Sequence, residues 1–148
     1  PGLEKLALTF GRGVPMPLVR GATSKAILAY LPRARLRKVY DRHAKAIARA
    51  RLGRSWDEFR DALAVIRRQG YCYTGGELDP PNVGVAAPVF AADGDVIGSI
   101  SFVTLNKRWA LIDQPQLIAI LCDGAERITR AIASAVTHPS RALRREAA

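Results

Sequence analysis

Cysteine, histidine and methionine are scarce in this 148-residue chain, which holds two, two and one of them. Cys72 and Cys122 stand too far apart for a C-x-x-C motif, so neither a zinc site nor a redox dithiol is indicated. No basic-then-apolar leader marks the chain for export, and two free, buried thiols are expected rather than a disulfide. His43 and His138 make no H-x-x-x-H pair, so neither a metal nor a cofactor is expected. "GRG" and "GATSK" lack the G-x-x-x-x-G-K-[ST] spacing of a phosphate loop, and no G-x-S-x-G occurs. Glu77 and Asp79 are alternate residues of a loop, a poor arrangement for a general acid and base. No catalytic residue is therefore expected, and the chain does not read as an enzyme. No apolar run nears the ~18 residues that cross a membrane, which predicts a soluble, cytoplasmic domain without a membrane partner. The opening Pro1-Gly2, in place of Met, is what a piece of a longer protein would show.

What is present is an ordinary globular balance, 49% apolar and 24% charged, in a chain long enough for one domain with a real core. That domain is expected over 1–137, with a frayed tail over 138–148 where the apolar pattern is lost. The net charge of +10 sits almost wholly in one place. Residues 33–54 carry nine lysines and arginines against one acid, Asp41, a net +8. At helical spacing, Leu36, Val39, Tyr40, His43, Ile47 and Ala50 form an apolar stripe there, which places His43 in the core. The basic remainder reads as a solvated outer face, as a surface easing DNA approach, or as a docking face for an acidic partner. No aromatic interleaving or zinc-finger spacing selects among these.

Along the chain, 3–10 reads as a strand, and Pro15 and Pro17 exclude regular structure after it. A short helix capped by Thr23 or Ser24 runs to Leu31 and stops at Pro32. The basic helix follows over about 33–50. Ser55-Trp56-Asp57-Glu58 is a capping box opening a helix that buries Phe59, Leu63 and Ile66 and closes on Gly70. Two apolar strands then flank the loop Gly75–Pro81, and Asp93-Gly94 predicts a type I′ hairpin leading into a strand over Val96–Leu105. A long helix over Gln114–Val136 is expected to bury Leu117, Ile120, Leu121, Gly124, Ile128, Ile132 and Ala135. Strands clustered in hairpins with helices before and after predict an α+β domain, an antiparallel sheet with helices packed on it. Trp109, Leu111 and Ile112 put more apolar bulk into a connector than it needs, marking a candidate association surface or, for Trp109, a cap on the domain's own core.

Two segments carry a resemblance. "GRGVPMPLVRGATSKAILAYLP", and then "IRRQGYCYTGGELDPPNVGVAAPVFAADGDVIGSISFV", resemble the effector-binding domain of the IclR family of bacterial transcriptional regulators. The likeness runs over about residues 4–136 and rests on the joint pattern rather than on one motif. It implies a GAF-like fold and a small-molecule effector. It also implies a homodimer or homotetramer that binds DNA only through an N-terminal winged helix-turn-helix absent from this chain. Activation and repression are equally open, and the alternative is a free-standing GAF-like sensor or scaffold not coupled to DNA.

By position, the resemblance places Gly21 and Ala22 as backbone contacts to a ligand carboxylate and Ser101 as a hydroxyl donor. Thr74, Gly84 and Val103 stand where some members have an acid, a cysteine and a second serine, which implies a roomier and drier pocket. Glu77 belongs either to the pocket rim or to the hydrogen bonds that shape its loop. The expected ligand is an aromatic or aliphatic organic acid larger than two or three carbons.

Overall fold

Nine residues without one charged side chain, Asn82–Phe90, form the middle strand of an antiparallel sheet covered on both faces. The computed structural model describes residue 6 and residues 8–137. Its elements are α1 (Ala22–Leu28), α2 (Arg33–Arg49), α3 (Trp56–Gln69), β1 (Cys72–Gly75), β2 (Asn82–Phe90), β3 (Val96–Leu105), α4 (Asn106–Trp109) and α5 (Gln114–Thr137). The sheet order is β1-β2-β3. On one face, Cys72 and Ala86 join a core with Ala26, Leu28, Ile47, Phe59 and Leu63 from α1–α3. On the other, Val83, Val85, Ala87 and Val89 meet Trp109 and α5. Burial of both faces explains why β2 reads as a continuous apolar run instead of alternating. The α+β expectation holds.

Capping chemistry sets the helix ends. Ser55 Oγ accepts the Glu58 N–H at 3.1 Å, and the Glu58 carboxylate accepts the Arg54 N–H at 2.7 Å, one residue before the box's usual partner. Gly70 ends α3 in the left-handed region, as expected. The first helix begins earlier than its hydroxyl residues indicate: Gly21, with φ 82, is its N-cap. The Ser24 hydroxyl instead donates to the Pro17 carbonyl at 2.8 Å, tying down the preceding loop.

Three further expectations are corrected. His43 is exposed, because its backbone (φ −127, ψ 19) kinks α2 and turns the stripe away from the core at that residue. The hairpin turn is not type I′: only Gly94 has positive φ, and its N–H closes on the Ala91 carbonyl at 3.0 Å, giving a three-residue loop ending in a left-handed glycine. The buried line of α5 runs through Leu117, Leu121, Cys122, Ala125 and Ile132, whereas Ile120 is 61% exposed and Ile128 and Ala135 also face out. This helix is apolar on two sides, so periodicity alone does not choose the inner one. Of the two readings of Trp109, the cap on its own core is the one found: it is 6% exposed and packs on Val83 and Val85 with Tyr73 beside it.

Of the strand expected over 3–10, residues 3–5 and 7 lie outside the described residues, and the described remainder forms no strand. The tail over 138–148, with His138, also lies outside them. Cys72 and Cys122 are free thiols. Burial pushes the Cys72 thiol up to about 11, with Lys25 pulling the other way and Glu77 adding to the rise, so at neutral pH it is a small uncharged side chain. No helix among the described residues is long and apolar enough to cross a membrane.

Candidate ligand site

A cavity of about 170 Å³ lies on the α1 face of the sheet. Strand register builds its floor. Thr74 pairs with Gly84 across β1–β2, and Gly84 pairs with Val103 across β2–β3, so these three form one row across the sheet. Ser101 follows two residues along β3 on the same face, by the two-residue alternation of a strand. The missing side chain of Gly84 is what opens this floor. A Cβ there would stand 3.6 Å from both Ala22 Cβ and Thr74 Oγ1, in ordinary contact, with the rest of a side chain projecting into the space.

The walls come from the start of α1 (Ala22, Thr23) and from the loop after β1 (Glu77, Leu78, Asp79). Leu8, Phe10 and Met16, from the segment before α1, close the apolar side. Thr9 fastens that segment, donating its N–H and hydroxyl to the Asp79 carboxylate. Asp79 also organises the loop from within, its carbonyl accepting the Asn82 N–H at 2.9 Å.

Glu77 is the structural centre of the wall. Its Oε2 accepts the Gly21 N–H at 2.9 Å, and its Oε1 meets Lys25 Nζ at 2.5 Å. Lys25 is 5% exposed and donates in addition to the Ala50 carbonyl at 3.2 Å, so the buried ammonium has two acceptors. Arg20 donates to the Glu77 backbone carbonyl. The glutamate thus fastens the loop to the start of α1 and, through Lys25, to the end of α2. Gly21 is required for this closure. Its φ of 82 suits glycine, and an added Cβ would stand 2.7 Å from Leu78 Cδ1.

Ala22, Thr74, Glu77, Gly84, Ser101 and Val103 all line the cavity. Gly21 does not, and its amide is occupied by Glu77 rather than directed to open space. The sequence reading missed Leu8, Phe10 and Met16, together with the buried Lys25. The first three left a signal: large apolar side chains in a proline- and glycine-broken segment that has no strand or helix to bury them. Lys25 also left one, as the only charge within "ATSKAIL", one helical turn beyond Gly21.

Sheet, helices and cavity together define a GAF-like α+β domain with a pocket on one face of its sheet. The model of the bacterial transcriptional regulator IclR C-terminal family matches residues 4–130, and the chain belongs to that family. The C-terminal domain of a transcriptional regulator from Vibrio cholerae is 30% identical, with a TM-score of 0.70 over 84% of this chain and 71% of that one. HmgR of Pseudomonas aeruginosa is 21% identical, with a TM-score of 0.70 over 88% of this chain and 51% of its own. A double mutant of the Acinetobacter PobR inducer-binding domain, solved with 3-hydroxybenzoic acid, is 19% identical, with a TM-score of 0.64 over 86% and 74%. The last two likenesses are of fold alone. Comparison with curated protein sequences finds no match.

Proposed function

We propose that this domain binds a small organic acid in the cavity over Gly84 and transmits its occupancy to DNA binding elsewhere in a cytoplasmic regulator. The observation that carries this is the cavity's make-up. Leu8, Phe10, Met16, Leu78 and Val103 give it an apolar body, and the hydroxyls of Thr23, Thr74 and Ser101 give donors within it. Ala22 and Ser101 hold the carboxylate, and Gly84 and Val103 make room for a ring or chain. Glu77 acts mainly as the strut between loop and helix, since its carboxylate already serves Gly21 and Lys25. The aromatic acid bound by the double mutant of the PobR inducer-binding domain supports the same ligand class here. In the regulator, DNA is bound through a winged helix-turn-helix outside this chain. The ligand biases operator affinity only as far as it binds one arrangement of the domains better than another.

Burying about 100 Å² of apolar ligand surface contributes about 2.5 kcal/mol before the cost of immobilisation, a gain closed to a bare two-carbon acid. Calorimetry of this chain with carboxylic acids of increasing apolar size is expected to show affinity rising until the cavity is full. Tight binding of glyoxylate or pyruvate, with no gain from larger acids, would refute this reading of the pocket.

The association surface belongs to the same proposal. With Trp109 in the core, the exposed apolar bulk at this end of the fold is Leu111, 86% exposed, and Ile112. These two residues form part of the contact between copies in a homodimer or homotetramer. Sedimentation of Leu111→Asp and Ile112→Asp is expected to show weaker self-association with unchanged melting temperature. An unaltered oligomer in both variants places the interface elsewhere.

A further inference from the structure

Glu77 also lines a second concavity, a groove of about 680 Å³ bounded by Arg20, Arg49 and Arg51 over a floor of Ala46, Ala50 and Gly75. Among the described residues none of the three arginines has an ion-pair partner, and the one acid in the groove wall is already engaged with Gly21 and Lys25. A second, independent feature is the backbone of Arg51. Its N–H bonds the Ala48 carbonyl and the Leu52 N–H bonds the Ile47 carbonyl, both at 3.1 Å, which is the hydrogen-bond pattern of a Schellman cap at the end of α2. The left-handed position of that cap belongs by preference to glycine, yet Arg51 occupies it at φ 56, the one non-glycine with positive φ among the described residues. Arg51, a lining residue of the groove, thus keeps a backbone conformation unfavourable for a non-glycine residue, and such conformations collect at binding sites.

We propose that the groove is a binding site for a phosphate-bearing small molecule, held by Arg20, Arg49 and Arg51. Guanidinium groups match phosphate oxygens in paired hydrogen bonds, and three of them suit an anion of more than one charge. The small floor residues leave room for such a group close to the backbone. The extent of the groove suits a compact molecule rather than a duplex, and α2's other cations, Arg33, Arg35, Arg37, Lys38, Arg42 and Lys45, all lie outside it. Cations placed only to offset the negative end of the α2 dipole would need neither the groove nor the strained Arg51.

Calorimetric titration of the 148-residue chain with inorganic pyrophosphate, at ionic strength fixed with KCl, is expected to show one saturable site. Arg49→Ala and Arg51→Gly are each expected to weaken it about tenfold or more, the cost of losing a charged hydrogen bond. Arg35→Ala and Lys38→Ala, on the same helix, are expected to change it less than about twofold, as an exposed charge outside the site does. Arg51→Gly is also expected to raise the melting temperature of the ligand-free chain by about 2–4 °C, since glycine relieves the cap. This opposite movement of affinity and stability separates a binding arginine from a structural one. Absent saturation, equal weakening by all four variants, or a lower melting temperature for Arg51→Gly would each overturn the proposal. So would a short DNA duplex that binds more tightly than pyrophosphate with the same dependence on Arg49 and Arg51, because the groove would then be a nucleic-acid contact.

Discussion

Gly84→Leu is expected to lower affinity for the best carboxylic acid at least about 100-fold while moving the melting temperature of the empty domain by less than about 3 °C. The reasoning is geometric. A Cβ at this position makes only ordinary contacts with Ala22 and Thr74, so no clash begins at the backbone. The remaining three carbons extend into a cavity of about 170 Å³ and occupy the space the ligand needs. Removing glycine's conformational freedom in the unfolded chain and burying apolar carbon both favour the fold, offsetting what packing adjustment costs. Gly84→Ala, which adds one carbon, is expected to retain binding. Calorimetry of both variants, with scanning calorimetry of the empty proteins, decides the matter. Undiminished affinity in Gly84→Leu would mean that the ligand lies elsewhere.

Glu77→Ala is expected to cost about 3 kcal/mol of stability, the scale for breaking a buried charge pair from one side. Its carboxylate is the partner of two groups at once. Lys25, 5% exposed, would keep only the Ala50 carbonyl, and the buried Gly21 N–H would lose its acceptor. Glu77's own side chain is 25% exposed, which keeps the expected loss at the lower end of the buried-pair range. Chemical denaturation is the measurement, and a loss below about 1 kcal/mol would show that the pair is solvated in practice. Removing both charges, as Lys25→Met with Glu77→Gln, is expected to recover most of the loss because no unpaired ion remains buried. Acetate, which can enter beside Gly21 and Lys25, is expected to stabilise Glu77→Ala more than it does the parent chain.

The cavity's residues were legible in different degrees, and the differences have causes. Gly84 and Ala22 were placed by resemblance, and the structure gives the reason for their size, since both line the cavity where a larger side chain would fill it. Thr74, Ser101 and Val103 were placed by resemblance, and register then explains them: Thr74, Gly84 and Val103 share one row of the sheet. Leu8, Phe10 and Met16 escaped because nothing local in a loop says which surface it will cover. Glu77 was seen as a choice between rim and strut; it lines the cavity and also bonds Gly21 and Lys25, residues far from it in sequence.

What the chain determined by itself was whatever short-range chemistry controls. The Ser55 cap, the Gly70 stop, the start of α2 after Pro32, the extent of the apolar strand over 83–90 and the concentration of charge in one helix all follow from neighbours a few residues apart, although the first helix ends at Leu28 and not at Leu31. Tertiary structure alone decided which side of α5 faces the sheet, that His43 turns to solvent and that Trp109 belongs to the core. It also decided that the Gly21 amide and Lys25 close on Glu77. Each of these depends on which of two comparable burials the assembled fold can satisfy, and that choice is made by packing and by the need to pair buried charge between residues far apart in sequence, 56 and 52 positions for the two Glu77 contacts.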